Sequence, residues 1–161
     1  MINFITGLFS RGEVAISEAS ARDASSIASL HSASFRRGWS EQEVEGLLID
    51  RHVIAYRAMI DRKLAGFIMS RIVDDEAEIL SVAIAGRQRG RGLARQLLDL
   101  HLRRLAGLGA RTVFLEVDEH NDPALRLYHR AGFSEVSRRA NYYPAGEGQA
   151  ASALVLRRDL L

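Results

Sequence analysis

Apolar positions along this chain change their period several times, and each change marks an element. Residues 13–19, EVAISEA, alternate as a first strand. Over 20–35, Ala24, Ile27, Ala28, Leu30, His31 and Phe35 fall at helical spacing, with Ser20 as the cap and Asp23 three residues on. A second short helix over 39–50 has Ser40 and Glu43 in the same reciprocal positions. Two strand-like runs, 52–60 and 64–73, flank the turn Asp61, Arg62, Lys63, and 75–85 adds a third strand to that meander. Leu93, Leu97, Leu98, Leu102, Leu105 and Leu108 then make one stripe of a helix over 93–109, which Gly109 stops.

The run TVFLEVD, 112–118, is continuously β-branched or aromatic, which predicts a strand covered on both faces. Residues 122–132 form a short helix with Pro123 in its first turn and Gly132 at its end. Residues 133–139 and 151–159 are the last two strands, joined by a loop over 140–149. The order β, α, α, β, β, β, α, β, α, β, β describes a single α+β, or mixed α/β, domain over 13–161, antiparallel at first with a βαβ-like centre. Residues 1–12 read as an N-terminal extension.

Composition removes several kinds of chemistry. At 161 residues the chain is long enough for one core without staples. Cysteine is absent, so disulfides, thiolate metal sites and cysteine nucleophiles are excluded. His31, His52, His101, His120 and His129 show no ligand spacing, and no metal is expected; His120, beside Asn121, is a candidate proton relay. The net charge is only +2, and Lys63 is the sole lysine, so the high pI is an arginine bias and no direct nucleic-acid partner is expected. No apolar run reaches the length of a membrane span. A cytoplasmic monomer or weak dimer is the expectation.

What remains concentrates in AIAGRQRGRGLARQLL, 83–98. A glycine-rich turn between a strand and a helix exposes backbone N–H groups beside the positive end of the helix dipole, which favours phosphate. Gly90 and Gly92 allow close approach, and Arg87, Arg89, Arg91 and Arg95 add charge. A P-loop is excluded because no Lys-Ser or Lys-Thr follows. The dinucleotide fingerprint matches at Gly90 and Gly92 but has Arg95 in its third position, and the strands before it form a meander. A solvated arginine-glycine turn and a pyrophosphate loop for coenzyme A stay open on these residues alone.

The run from Arg87 to Ala94 matches R/Q-x-x-G-x-G/A, the acetyl-CoA signature of the GNAT acetyltransferases. With LEVDEHNDPALRLYHRAGF at 115–133 and RRANYYP at 138–144, residues 50–158 resemble that family, in particular its bacterial ribosomal-protein-alanine N-acetyltransferase branch. A weaker echo lies at WSEQEVE, 39–45. The resemblance implies a mostly antiparallel seven-stranded sheet with a splayed strand before the pyrophosphate loop, and acetyl-CoA as donor. It implies as acceptor a protein N-terminus, an alanine of a small-subunit ribosomal protein, with a lysine side chain or small-molecule amine as the alternative.

The same resemblance implies roles for residues. Glu116 is the base and Tyr128 the acid. The main chain of Val82, Ala83 and Ile84 holds the pantetheine arm, and Arg87, Gln88, Arg89, Gly90, Arg91, Gly92, Leu93, Ala94 and Arg95 surround the pyrophosphate. Asn121 and Tyr128 touch the coenzyme, while Trp39, Glu116, Tyr142 and Tyr143 line the acceptor side. The chemistry agrees: an α-amine near pKa 8 needs only a modest base, and a phenol near 10 is protonated at neutral pH. Ala140, inserted before Asn141, departs from the family pattern in the acceptor loop and not in the coenzyme site.

Overall fold

A computed structural model describes residues 12–143 and 151–160. Seven strands form one sheet in the order β1-β2-β3-β4-β5-β7-β6. They are β1 (Ala15–Glu18), β2 (Val53–Ile60), β3 (Lys63–Val73), β4 (Glu76–Ile84), β5 (Thr112–Asp118), β6 (Ser134–Tyr143) and β7 (Ala151–Asp159). Only β4 and β5 run parallel; every other neighbouring pair is antiparallel. The mostly antiparallel seven-stranded sheet is as expected. The extension expected over 1–12 lies, but for Gly12, outside the described residues, as do Pro144 and the rest of the loop to 150.

Helices cover the sheet on two sides. α1 (Ala24–Ser34) and α2 (Glu41–Ile49) bury Ala24, Ile27, Ala28 and Val44 against Ala55, Phe67, Met69 and Ala83. α3 (Leu93–Gly107) and α4 (Asp122–Arg130) bury Leu93, Leu97, Leu98, Leu102 and Leu105, with Tyr128, against Ile68, Ile79, Val113, Leu115, Val117 and Leu156, whereas Leu108, expected in the same stripe, caps α3 and is exposed. Local signals set the ends of these helices. Asp23 Oδ2 accepts from Ser20 N at 2.9 Å ahead of a short 3₁₀ turn, and Ser40 and Glu43 exchange hydrogen bonds as a capping box.

Three details differ from the sequence reading. The strand buried on both faces is β3, whose Ala65–Ser70 stretch is enclosed throughout, and not β5. In β5 burial alternates: Val113, Leu115 and Val117 face the α3–α4 core, while Phe114 and Glu116 turn to the other face, which α1 and α2 leave open there. Hydrophobicity alone cannot separate a covered face from the floor of an open groove. Finally, β6 runs on through Asn141 and Tyr142 to Tyr143, so the loop expected from 140 begins later. Arg139 pairs with Ala153 and Tyr143 with Ala151, so residues 140–142 oppose the single Ser152. This wide bulge, with Asn141 at φ 53°, takes up Ala140 without ending the strand.

One polar pair sits deep in the α3 side of the core. His101 Nε2 lies 2.6 Å from Ser70 Oγ, both residues are fully buried, and His101 Nδ1 has no hydrogen-bond partner among the described residues. Burial pushes this imidazole down to about 4 from its ordinary 6.5. Folded His101 therefore stays neutral where the unfolded chain takes up a proton. Stability is full above about pH 6.5 and falls as the pH drops toward 4, by roughly 3 kcal/mol from this residue. Melting temperatures across that window are expected to show the slope. The pair Ser70→Ala with His101→Leu, which removes both polar partners, is expected to flatten it.

Candidate active site

The site starts from a failure of pairing in the middle of the sheet. β4 and β5 are bonded only from Glu76 opposite Thr112 to Ile79 opposite Leu115. Both continue, β4 to Ile84 and β5 to Asp118, without pairing to each other. On the other edge of β4, Met69 pairs with Ser81 and Ser70 with Ile79, which leaves Leu80 as an extra residue at the point where the strands part. An extra residue bends a strand and strengthens its local twist, which is a physical cause for the parting. The main chain of Val82, Ala83 and Ile84 thus keeps β3 on one side and has no strand on the side toward β5.

The loop follows directly. A 3₁₀ turn over Gly86–Gln88 leads to Gly90 at φ 78° and Gly92 at φ 77°, and α3 begins at Leu93, itself buried. The left-handed backbone at both positions is what glycine tolerates best. Gly92 is the N-cap, so no side chain satisfies the first-turn amides of α3, and these donors stay available at the positive end of a 15-residue helix. A Cβ placed on Gly90 or Gly92 would meet nothing within 4 Å. The left-handed backbone, and not side-chain crowding, is what calls for glycine here, and the space over the amides is left open. The donor set and the open space fit a diphosphate.

The loop arginines divide by role. Arg89 Nε donates to Ile84 O at 3.1 Å, tying the loop to the end of β4. Arg91 Nη1 donates to Gln88 Oε1 at 3.2 Å, and Arg95 faces Asp99 one turn along α3 at 3.8 Å. Arg87 and Gln88 border a small cavity of about 140 Å³ on the hairpin side of the loop, with Lys63 and Asp61. Ala94 is half-buried under the first turn. Replacing Gly92 by valine is expected to weaken acetyl-CoA binding about tenfold or more, equivalent to one lost charge-assisted hydrogen bond. Calorimetric titration checks this; unchanged affinity would remove the cradle from the account.

Glu116 stands on β5 past the last β4 pairing, on the open face of the sheet. Its Oε1 lies 3.3 Å from Arg139 Nη2, and the Arg139 guanidinium sits 5.3 Å from the centre of the Tyr142 ring. Glu116 and Arg139 line a cavity of about 360 Å³ that extends over Phe114 and along β4. Tyr142 is therefore brought to Glu116 through Arg139. Tyr143 pairs with Ala151 through its backbone. Trp39 is half-buried and its ring stacks flat on His31 at 4.0 Å, while its backbone N–H donates to His31 Nδ1 at 3.0 Å. It fixes the α1–α2 connection and does not line the Glu116 cavity.

Just beyond β5, Glu119 accepts from Ser152 N at 3.0 Å and from Arg138 Nη1 at 2.9 Å. The Ser152 amide first, then His120 and Arg138, hold the Glu119 carboxyl below the usual range. This clamp fastens the start of β7 and the middle of β6 to the turn after β5. His120 points to Glu119 at 3.6 Å, which gives it a place in the clamp. Asn121 Oδ1 accepts from Ala124 N at 3.3 Å and caps α4 as expected. Tyr128, on α4, is 7% exposed and meets Phe133 edge-on at 5.6 Å. Burial pushes its hydroxyl up to about 12.

Residue parity puts Glu116 on one face of the sheet and Tyr128 in the core of the other. Glu116 lies on the part of β5 that has parted from β4. Arg138, Arg139 and Glu119 were assigned nothing on the sequence. The signal was nevertheless there: the two arginines open the RRANYYP segment, and Glu119 follows Glu116 by three residues.

Comparison with known proteins agrees with this geometry. The profile of the Acetyltransferase (GNAT) family matches residues 24–133. The [ribosomal protein bS18]-alanine N-acetyltransferase of Salmonella typhimurium is 34% identical over 110 residues, 68% of this chain and 74% of the relative. A crystal structure of the Escherichia coli ribosomal-protein-S18-alanine N-acetyltransferase superposes with a TM-score of 0.86 at 26% identity, covering 92% of this chain and 94% of the other. Arabidopsis thaliana NAA60 in complex with acetyl-CoA gives 0.81 at 21% identity, covering 91% and 98%, a likeness of fold.

Proposed function

The chain belongs to the GNAT acetyltransferase family, and from that premise we propose that it moves an acetyl group from acetyl-CoA to the N-terminal α-amine of a protein. The N-terminal alanine of a small-subunit ribosomal protein is the acceptor favoured by its relatives. One observation carries the reading: the gap between β4 and β5 opens at Ile79, between an uncapped helix end and a carboxylate on the far face. A donor gripped at Gly90 and Gly92 has an unpaired strand edge to lie along and a base at its far end.

Acetyl-CoA supplies an acetyl thioester, whose carbonyl accepts an amine and whose sulfur departs. The protein's part is to bind, orient and move protons. The first-turn amides of α3 bind the diphosphate, and the main chain of residues 82–84 orients the arm by hydrogen bonds. Glu116 takes the proton of the attacking α-amine, directly or through one water, while Arg139 holds its carboxylate in place. Tyr128 offers its hydroxyl hydrogen to the departing sulfur from the opposite face. Asn121 fixes the start of α4 and so the position of Tyr128.

Incubation with acetyl-CoA and a panel of N-terminal peptides, lysine peptides and polyamines, read by mass, tests the reading. Acetylation confined to the α-amine of alanine-initiated peptides is the expected result. Exclusive modification of lysine side chains or polyamines would overturn the acceptor assignment, and no product from any amine would overturn the activity.

A further inference from the structure

Arg139 meets Glu116 by reaching over a strand. It pairs with Ala153 on one side of β7, and Glu116 pairs with Val155 on the other, so the guanidinium extends across β7 to the carboxylate at 3.3 Å. The Tyr142 ring, carried by the bulge at 140–142, lies 5.3 Å from the same guanidinium and backs it as a cation–π partner. Glu116 and Arg139 are each other's one ion-pair partner among the described residues, and both line the same cavity. The other charges around that cavity are of mixed sign: Glu76 and Glu78 on β4, Arg71 level with Glu78 on β3, and Arg157 over the Phe114 ring. The carboxylate assigned as base therefore has its countercharge before any amine arrives.

We propose that Arg139 is a specificity-determining residue that admits the acceptor amine only in its neutral form. The inference rests on the α-amine reading above and deepens it, by giving the site a means to refuse lysine side chains and polyamines. A lone carboxylate in a partly shielded cavity attracts any ammonium ion. One countered at 3.3 Å leaves little net pull, and the guanidinium repels a second cation at close range. A neutral amine meets no such repulsion: it donates an N–H to Glu116 and keeps its lone pair for attack. At neutral pH about one α-amine in ten is free, against about one lysine side chain in 2,500, so refusing the charged form separates the two classes by more than about a hundredfold.

The test follows KM and kcat for an alanine-initiated peptide at saturating acetyl-CoA. Wild-type KM is expected to fall about twentyfold from about pH 6.5 to about pH 9 with kcat nearly constant, since the amine loses its proton before it enters. Arg139→Gln leaves the Glu116 charge uncountered, so ammonium ions enter as well. The fall in KM should then shrink to less than about threefold, with kcat now rising with pH. Spermidine should compete with the peptide at least about tenfold more strongly in this variant than in the wild type. Arg139→Lys keeps a cation at the position and should keep the wild-type pattern. Each comparison is made within one variant, so a general loss of turnover does not disturb it.

A wild-type KM indifferent to pH, with kcat carrying the whole titration, would overturn the inference even if no variant folds. So would an Arg139→Gln protein with the wild-type KM profile and wild-type resistance to spermidine, which would leave Arg139 only the task of holding Glu116 in place. If no peptide is acetylated on its α-amine, the parent reading fails and takes this one with it; α-acetylation with a pH-independent KM sinks this one alone.

Discussion

Glu116→Gln is expected to lower kcat by about 10²–10⁴-fold, the span lost when a positioned general base is removed. Glutamine keeps the length and planarity of the side chain and can still accept from Arg139, so the β5–β6 contact is retained. What disappears is a group able to take a proton from the neutral amine as its nitrogen attacks. Affinity for acetyl-CoA should stay close to wild type, because Glu116 lies across the sheet gap from the helix end to which we assign diphosphate binding. Single-turnover rates with calorimetric binding separate the two quantities. A variant with wild-type kcat would remove Glu116 from the chemistry, whereas a parallel loss of coenzyme affinity would mean that the substitution disturbs the cradle.

How much of this could be read from the chain depends on which contacts are local. Helix caps at Ser40 and Asn121 and the left-handed glycines at 90 and 92 are decided within a few residues, and the sequence displays them. The leucine stripe of α3 is equally plain because one side of that helix is fully buried. The open face of β5 was not legible: Phe114 and Glu116 alternate with valine and leucine in a run whose composition matches a strand enclosed on both sides. Only the positions of α1 and α2, set by distant packing, expose it. The Glu116–Arg139 and Glu119–Arg138 pairs join residues 23 and 19 apart, linking β5 and the turn after it to β6, which is not its neighbour in the sheet. No local pattern announces them. The bulge at 140–142 hid the last pairs of β6 for the same reason, since register there is set by β7.

Tyr128→Phe is expected to cost about 10²-fold in kcat with little change in stability. Phenylalanine preserves the edge-on contact with Phe133 and the burial of α4 against the core, so a residue that only packs would pass unnoticed. The raised value of about 12 refines the role. A thiol titrates near 8.5, so complete transfer from a phenol at about 12 to a departing thiolate runs uphill and would leave a buried tyrosinate. Donating a hydrogen bond to the developing negative charge needs no such step, and in a site shielded from water one donor is worth several kcal/mol. Two results follow. The kcat of the wild-type protein should show no titration of Tyr128 at any pH below about 11, since the hydroxyl stays protonated throughout. The penalty of Tyr128→Phe should also shrink with an acetyl thioester whose thiol is more acidic, because less charge then needs stabilising in the transition state. A penalty independent of the leaving group would assign Tyr128 to positioning α4, and no penalty would return it to the core.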